Sequence, residues 1–487
     1  MQLPMQAEHW IMRGIINNLI FLSAVLLTGI CNHLHAQEPI SVIEAVQLGL
    51  KNNFDAQIQV LEVEQAKRLN EWGQAGALPT INLSTNQNNS VIERKPANPF
   101  AVAGRNISNN VPVNLEIQWT LFNGFAVRMN KARLDQLEQQ SAGNARIVLE
   151  STVQTIVLGY YNVLLEQQRL QVRKKAVQFS KQLYDYVRLK KDLGGAITFD
   201  VLQQQNNFLT DSANVLRQEL AVKSAKRNLN ELLNEPLDKD YMFLDDFAYT
   251  PVETRYDYET LRAKMLSSNA NLRNQFIIQE LQRISRQSLE ASMYPSLSLS
   301  LGSTGSLDQL NARFRPTSNG TVIKSTVGYL NDDDAQPVIS RSFAPEYRTL
   351  QGYSYGGFAN LTLRFTLFNG GQVQRAIKNA DIEQRIIQLG TDKLKLSLEN
   401  DLLTFLEQYQ LRRQLASIAS TKLRAAELNL TLAYERYRNG SFSAIDLRII
   451  EENFQNAALE NYAAIFDVLS VKTDLIRLTG GLLEDYR

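Results

Sequence analysis

The stretches WTLFNG (residues 119–124) and FTLFNG (residues 365–370) are nearly the same six letters, 246 positions apart. They sit inside longer matches. NLEIQWTLFNG (114–124) aligns with NLTLRFTLFNG (360–370), DVLQQQNNF (200–208) with DLRIIEENF (446–454), and NLNELLNEP (228–236) with DLIRLTGGL (474–482), all at that spacing. Upstream, LPTINLS (78–84) aligns with YPSLSLS (294–300) at a spacing of 216. The difference, 246 − 216 = 30, is an insertion of 30 residues between these blocks in the second copy. The chain reads as a tandem repeat, with copy one over 40–236, a linker over 237–255 and copy two over 256–482.

Ahead of each hexapeptide the side chains alternate. Val113, Leu115, Ile117, Trp119 and Leu121 are interleaved with Asn114, Glu116, Gln118 and Thr120. In copy two, Leu361, Leu363, Phe365 and Leu367 are interleaved with Asn360, Thr362, Arg364 and Thr366. A period of two gives each strand one apolar and one polar face. A preceding strand starts near Thr80 and near Ser296, each just after a proline. Each copy therefore supplies a hairpin of two strands of about ten residues, enough to cross a bilayer when tilted. Strands of this kind also pack against helices in soluble sheets, and the strands alone leave that reading open. In lipid, four strands cannot close a barrel, and an open edge leaves backbone groups unpaired at several kcal/mol each. Other copies of the chain must then complete the sheet: a dimer is the minimum and a trimer gives twelve strands. In such a barrel Glu116, Gln118 and Arg364 face the lumen, and Trp119 and Phe365 face lipid. The repeated Leu-Phe-Asn-Gly (Leu121, Phe122, Asn123, Gly124; Leu367, Phe368, Asn369, Gly370) marks the change from strand to helix. Asn tolerates turn geometry there, and Gly permits a sharp change of direction.

Proline punctuates the rest. None occurs from Val113 to Glu235 or after Pro345, and these tracts are rich in Gln, Leu, Glu, Arg and Lys, which predicts helix. Residues 125–193 form one helical run of roughly 100 Å. Leu149, Val153, Ile156, Tyr160 and Val163 step by 4, 3, 4, 3, a heptad seam, and Leu398, Leu402, Phe405 and Tyr409 step similarly. Shorter helices flank the long one: 41–76, with Ser41 and Glu44 in capping-box spacing, and 198–235 after the Gly194-Gly195 turn. Each is roughly 55 Å, so two laid end to end match the long one.

The chain is 44% apolar with a net charge of +1, which speaks against phosphate-driven nucleic-acid binding. Residues 1–36 read as a secretory signal peptide, with Arg13, an apolar run from Ile15 to Ile30 and Leu34-His35-Ala36 as a cleavage site. A membrane anchor is the competing reading. The run is shorter than ~20 residues and is broken by Asn17-Asn18, which favours the signal. Cys31 raises lipid attachment as an alternative, although Ile30 stands where a small residue is preferred. All three histidines (His9, His33, His35) and the sole cysteine lie in this leader. Its removal takes away disulfides, thiol nucleophiles, His bases and nearly all zinc or copper sites. No constellation of carboxylates recommends catalysis and nothing resembles a phosphate-binding loop, so the expectation is a non-enzyme without cofactor. The strand-linking segments 87–110 and 303–355, rich in Asn, Ser, Gly and Pro, read as loops. Asp332-Asp333-Asp334 reads as a solvated loop rather than a calcium site.

Taken together, the tandem repeat, the LFNG junctions and the turns GGAITFD (194–200) and GSFSAID (440–446) resemble the TolC-like outer-membrane efflux proteins. The resemblance covers nearly the whole chain beyond the leader. It implies a mainly α fold with a small membrane β-barrel, in which long coiled-coil helices continue as a periplasmic tunnel. It also implies a homotrimer in the outer membrane of a Gram-negative bacterium. The function implied is a passive exit duct of a tripartite efflux or type I secretion system, with a periplasmic adaptor and an inner-membrane pump as partners. In that family, turns of this form lie at the periplasmic tip and contact the adaptor, which points to Gly194, Gly195, Thr198, Asp200, Gly440, Ser443 and Asp446. Thr198 and Ser443 also read as N-caps. Counting back from Asp, Gly194 is the counterpart of Gly440; counting back from the hydroxyl residue, Gly195 is. The nearby Tyr434–Arg438 run reads as a solvated helix end. The rival readings are a periplasmic coiled-coil adaptor or a structural protein with no channel. Neither accounts for amphipathic hairpins that run into LFNG.

Overall fold

A computed structural model of the chain describes residues 38–97, 102–247, 256–315, 321–330 and 336–485. The expected leader, Cys31 and Asp332–Asp334 lie outside these residues. In chain order the elements are β1 (Glu38–Ile40), α1 (Val42–Asn52), α2 (Phe54–Leu69), β2 (Thr80–Thr85), β3 (Asn88–Arg94), β4 (Gly104–Asn123), α3 (Ala126–Asp192), α4 (Thr198–Leu233) and β5 (Tyr241–Phe243). There follow α5 (Tyr258–Ser268), α6 (Ala270–Ala291), β6 (Ser296–Phe314), β7 (Val322–Tyr329), β8 (Pro337–Phe343), β9 (Glu346–Arg364), α7 (Gln372–Arg438), α8 (Ala444–Leu478) and α9 (Leu482–Asp485). They form two compact units: a helical one (38–61, 143–273 and 394–485) and one that holds the large sheet (62–142 and 274–393).

In the helical unit, the proline-free tracts are helical as expected, and α3 and α7 each run for 67 residues. The heptad seam is the core: Val153, Ile156, Tyr160 and Val163 are fully buried against Val46, Leu229 and Leu233. Leu398, Leu402, Met265 and Leu475 form a second cluster. The Tyr160 hydroxyl donates to the Asp245 carboxylate (2.6 Å), and the same oxygen of Asp245 accepts from Val42 N (2.8 Å). Burial and the nearby Asp245 charge push the Tyr160 phenol well above its ordinary range. A short parallel ladder of β1 with β5 closes this clip.

The helix expected over 41–76 is two helices. Ser41 and Glu44 form the expected capping box, with Ser41 N donating to Glu44 Oε2 (2.7 Å) and Ser41 Oγ accepting from Glu44 N (3.3 Å). Asn53 then breaks the run. Its Oδ1 accepts from Asp55 N and Ala56 N, starting α2, and its Nδ2 donates to the Leu232 carbonyl (3.0 Å). Asn269 does the same between α5 and α6: Oδ1 accepts from Leu272 N and Nδ2 donates to the Leu478 carbonyl (2.9 Å). Asn269 follows Asn53 by 216 residues and Leu478 follows Leu232 by 246, the two repeat spacings.

In the other unit, β2 and β3 both pair with β4, and the order continues β4-β6-β9, antiparallel throughout. β2 and β3 keep one register on β4, Thr85 opposite Val113 and Asn88 opposite Asn110. The gap at Asn86-Gln87 lies opposite Val111-Pro112, where proline has no N–H to give. The strands are longer than expected, β4 having 20 residues and β6 and β9 having 19 each. The segments 87–110 and 303–355 are thus largely strand, not loop. Their Asn, Ser, Thr and Gly residues lack apolar alternation and read as loop, yet the backbone ladder holds them. Asn109 Nδ2 donates to Gln309 Oε1 across it (3.1 Å). Each copy's hairpin has the same register: Thr80 opposite Gln118, and Ser296 opposite Arg364. Much of the insertion forms a separate hairpin of β7 with β8.

Candidate functional site

The four-stranded wall is two-faced. Ile81 and Leu83; Val113, Leu115, Ile117 and Trp119; Leu297, Leu299 and Leu301; and Leu361 and Leu363 come into register on one side. Asn82, Ser84, Glu116, Gln118, Ser298, Ser300, Thr362 and Arg364 share the other. The expected lumen residues Glu116, Gln118 and Arg364 are thus on one face, and Trp119 is on the opposite one. From Val111 to Trp119 the apolar side spans about 27 Å along β4 at 3.4 Å per residue, roughly 20 Å of height at the 35–45° tilt of a barrel strand, most of an apolar band about 25 Å tall. Exposed Tyr353 and Tyr355 lie toward one end of this side. At the other end the Trp119 indole donates to the Ala77 carbonyl (2.9 Å). No helix among the described residues is long and apolar enough to cross a membrane.

At the first junction a bulge falls at Leu121, between Thr120 and Phe122. Asn123 Oδ1 accepts from Val127 N (3.2 Å) in the first turn of α3. Gly124 and Phe125 both have positive φ (66° and 69°), and Gly370 and Gly371 repeat this pair (66° and 75°). Phe125 holds a conformation that favours glycine, with its ring edge-on to Phe122 at 5.3 Å. The surroundings of the two junctions differ. A Cβ on Gly124 would collide with the Ala291 carbonyl and come within 2.8 Å of Tyr294, whereas Gly370 has nothing within 4 Å. β9 ends at Arg364, so Phe365 lies past the strand, and Leu367 and Phe368 are 87% and 86% exposed.

The turns that join α3 to α4 and α7 to α8 are the same motif. Gly194 N donates to the Lys191 carbonyl and Gly195 N to that of Lys190, both at 2.8 Å. Gly440 N and Ser441 N donate to Tyr437 and Arg436 in the same way, at 3.0 Å. Both are Schellman ends with a left-handed glycine: φ is 78° at Gly194 and 75° at Gly440. Gly194, not Gly195, is therefore the counterpart of Gly440. Ser443 is the N-cap of α8, its Oγ accepting from Asp446 N (3.1 Å) and donating to Asp446 Oδ2 (2.7 Å). The expected cap at Thr198 is corrected. Ile197 occupies the N-cap of α4 and offers no side-chain oxygen, while Asp200 accepts from Ile197 N (3.3 Å). The hydroxyl is displaced by one residue into the helix, where it cannot cap.

Behind the turns lie features that the sequence reading missed. In the largely exposed Tyr434–Arg438 run, a solvated helix end as expected, the two tyrosines also make ring contacts. They pack on Phe179 (6.2 Å between rings) and Tyr186 (5.6 Å), and burial lifts the Tyr437 phenol to about 12. Further along, Arg448 pairs with Asp211 (2.6 Å), Glu451 (3.0 Å) and Glu452 (2.8 Å), and Asp211 and Glu451 are almost fully buried. Gln455 joins Glu451 to Arg173. Burial raises the Glu451 carboxyl to about 7, against the pull of Arg448. The only signal in sequence was a set of charges on the apolar side of α8. Among the described residues no group of His, Cys, Asp and Glu is arranged to hold a metal ion.

The family described as outer membrane efflux protein matches residues 45–235, most of the first copy. No curated protein matches the chain. Several solved structures match in fold. The Campylobacter jejuni CmeC outer membrane channel does so at a TM-score of 0.67 and 16% identity, covering 90% of this chain and 85% of that one. The outer membrane protein VceC from Vibrio cholerae matches at 0.64 and 13%, covering 90% and 96%. The open state of the Neisseria gonorrhoeae MtrE outer membrane channel matches at 0.62 and 16%, covering 91% and 89%. The chain therefore has the mainly helical fold, with its sheet, of outer membrane efflux channels.

Proposed function

We propose that this protein is the outer-membrane exit duct of a tripartite efflux or type I secretion system, a homotrimer that passes substrate delivered by an inner-membrane pump. The observation that carries the reading is the wall of four strands, apolar on one side and polar on the other, with β2/β3 and β9 unpaired along its edges among the described residues. In water that wall exposes a continuous apolar face; in lipid it lacks partners at both edges. Three copies would give twelve strands with the polar side, including Glu116, Gln118 and Arg364, around a water-filled lumen. The lipid side would carry Trp119, with Phe365 added once its strand is extended. The helices would stand in the periplasm. The turns at Gly194, Gly195, Thr198 and Asp200 and at Gly440, Ser443 and Asp446 would meet the adaptor. As a duct it needs no nucleotide site, the pump supplying the energy.

The test is extraction from outer-membrane fractions in mild detergent, mass measurement, and reconstitution into planar bilayers. The expected result is three chains per particle and a water-filled conductance. A detergent-independent soluble monomer without conductance overturns the reading. Cross-linking from reporters at Ala196 and Phe442 then identifies the docking partner, with an adaptor as the expected capture.

A further inference from the structure

Past its apolar band, the apolar side of the wall changes character row by row. Val111, Leu307 and Tyr353 form the last apolar row. Asn109, Gln309 and Gln351 come next, and the following row joins Ile107 to Asn311 and Thr349. These polar side chains satisfy one another: Asn109 Nδ2 donates to Gln309 Oε1 and Asn311 Nδ2 to Thr349 Oγ1, both at 3.1 Å. The row beyond them is different. Arg313 lies opposite Tyr347. Two residues past the pair of Ile107 with Asn311, the same register brings Arg105 to Arg313. A Cβ on Gly104 would lie 2.6 Å from Arg313 Cδ, so this side chain leans over the start of β4. No bulge separates these three residues from Leu115, Leu299 and Leu361 on their strands, and they share the side of those leucines.

Arg105 and Arg313 are both exposed. The Arg313 guanidinium stands 5.7 Å from the centre of the Tyr347 ring, and its Nη2 donates to the Pro345 carbonyl at 3.4 Å. The Tyr347 hydroxyl accepts from Arg105 N (3.3 Å). These contacts gather the three side chains and leave most of both guanidinium forks open. Glu93 is opposite Arg105 in the ladder, yet neither arginine is ion-paired to a carboxylate among the described residues. On the other side of the wall at the same height, Arg348 is paired with Glu346. Like charges on neighbouring strands repel, and an anion between them removes that repulsion. Planar guanidinium forks fit phosphate oxygens, to which they donate in pairs.

Height above the apolar band narrows the anion further. Tyrosines of this kind mark the membrane–water interface. From Val111 to Arg105 is about 20 Å along the strand, roughly 15 Å of height at a barrel tilt of 35–45°. Ordinary phospholipid headgroups extend the hydrocarbon core by only about 5–7 Å per side. The arginines therefore stand above that layer, at the depth of a headgroup built from sugars. We propose that Arg105, Arg313 and Tyr347 form an outward-facing site for a sugar-borne phosphate, that of a phosphorylated glycolipid in the outer leaflet. The two guanidiniums flank the phosphate, and the Tyr347 hydroxyl donates to a further oxygen. The site is on the face of the wall, where association of copies leaves it open to lipid. The inference rests on the proposed membrane duct and names a lipid for its outer side.

The test is native mass spectrometry in detergent, with deep-rough lipopolysaccharide as the probe because it carries phosphates on its sugars. Its dephosphorylated form, phosphatidylglycerol and inorganic pyrophosphate are the comparison ligands. Arg105→Gln/Arg313→Gln removes the site. Arg94→Gln/Arg348→Gln removes the same charge from the opposite side of the wall. The expected result is a dissociation constant for the glycolipid raised at least tenfold by the first pair and less than twofold by the second. Dephosphorylation should weaken binding to the natural protein at least tenfold, a comparison that does not depend on any variant folding. The site is overturned by unchanged binding in Arg105→Gln/Arg313→Gln, by equal loss in both double variants, or by equal binding of the dephosphorylated glycolipid. Phosphatidylglycerol or pyrophosphate binding as tightly as the glycolipid also overturns it, assigning the arginines to ordinary phospholipid or to free phosphate. Any of these results in a protein that keeps the mass of three chains and its conductance leaves the duct standing. A soluble monomer without conductance overturns both.

Discussion

Gly124 and Glu451 show how much a single residue decides. Gly124 combines a φ of 66° with backbone packed directly against it. Gly124→Ala meets two separate penalties, left-handed strain of about 1–2 kcal/mol and collision with the Ala291 carbonyl. The expected loss exceeds ~2 kcal/mol, read as a lowered thermal midpoint in detergent. Gly370→Ala meets the left-handed strain alone, since Gly370 has a φ of 66° with nothing within 4 Å, and should lower the midpoint less. Glu451 has a different sensitivity. Its carboxyl is raised from about 4.5 to about 7 by burial, so the folded chain holds this proton more tightly than the unfolded chain. The stabilisation from the bound proton is fully present below pH 4.5 and is lost as pH rises through 7. Glu451→Gln keeps a neutral side chain at every pH. The midpoint of the variant should therefore fall less between pH 5 and 8 than that of the natural protein; parallel curves would remove Glu451 as the titrating group.

At the level of elements, the repeat predicts what can be exchanged. Arg94 opposite Gly104 in copy one corresponds to Leu310 opposite Leu350 in copy two. The segment between the latter pair, which includes the β7–β8 hairpin, is longer than its counterpart on the same register. Replacing residues 311–349 with residues 95–103 removes 39 − 9 = 30 residues and should leave the wall and its assembly intact, since shortening a loop changes closure entropy by only about 1 kcal/mol. Unchanged mass in detergent and an unchanged circular dichroism spectrum are the expected readings; loss of assembly would give the hairpin a structural role. Sequence alone revealed those elements whose pattern is set by local chemistry. The α3 tract could be bounded to within a residue because proline exclusion, length and a heptad seam agree. The strand portions at 113–121 alternate because one side is apolar. The far halves of the strands were invisible because Asn and Ser on both sides of a ladder look like loop. The breaks at Asn53 and Asn269 were missed because neither Gly nor Pro marks them; each is fixed by a carbonyl about two hundred residues away in the chain. Their recurrence at the repeat spacing was the available clue. Where α3 joins α4 and α7 joins α8, both turns were legible from Gly and Asp, but the cap at Ile197 was not, because Thr198 supplied a plausible hydroxyl one position late.

For the molecule as a whole, the decisive property is the opposition between the two sides of the wall, and neighbouring residues on one strand can test it. Leu115 and Glu116 are adjacent on β4, each held between β2 and β6, with side chains on opposite sides. In a soluble sheet packed on helices, either substitution by arginine would be judged by burial, and Leu115, at 42% exposed, would tolerate it. In a barrel wall the outcomes separate. Leu115→Arg places a cation in hydrocarbon at a cost of about 2–4 kcal/mol near the midplane, multiplied across the copies in one ring. Glu116→Arg remains in the aqueous lumen, costs little stability, and replaces a ring of negative charge with a positive one. The expected outcome is loss of the assembled form from outer-membrane fractions for Leu115→Arg. For Glu116→Arg it is normal assembly with reversal potentials in a salt gradient displaced toward anions. Equal assembly of both variants, with no change in selectivity for the second, would mean that the two sides do not face lipid and water, and the duct would have to be abandoned.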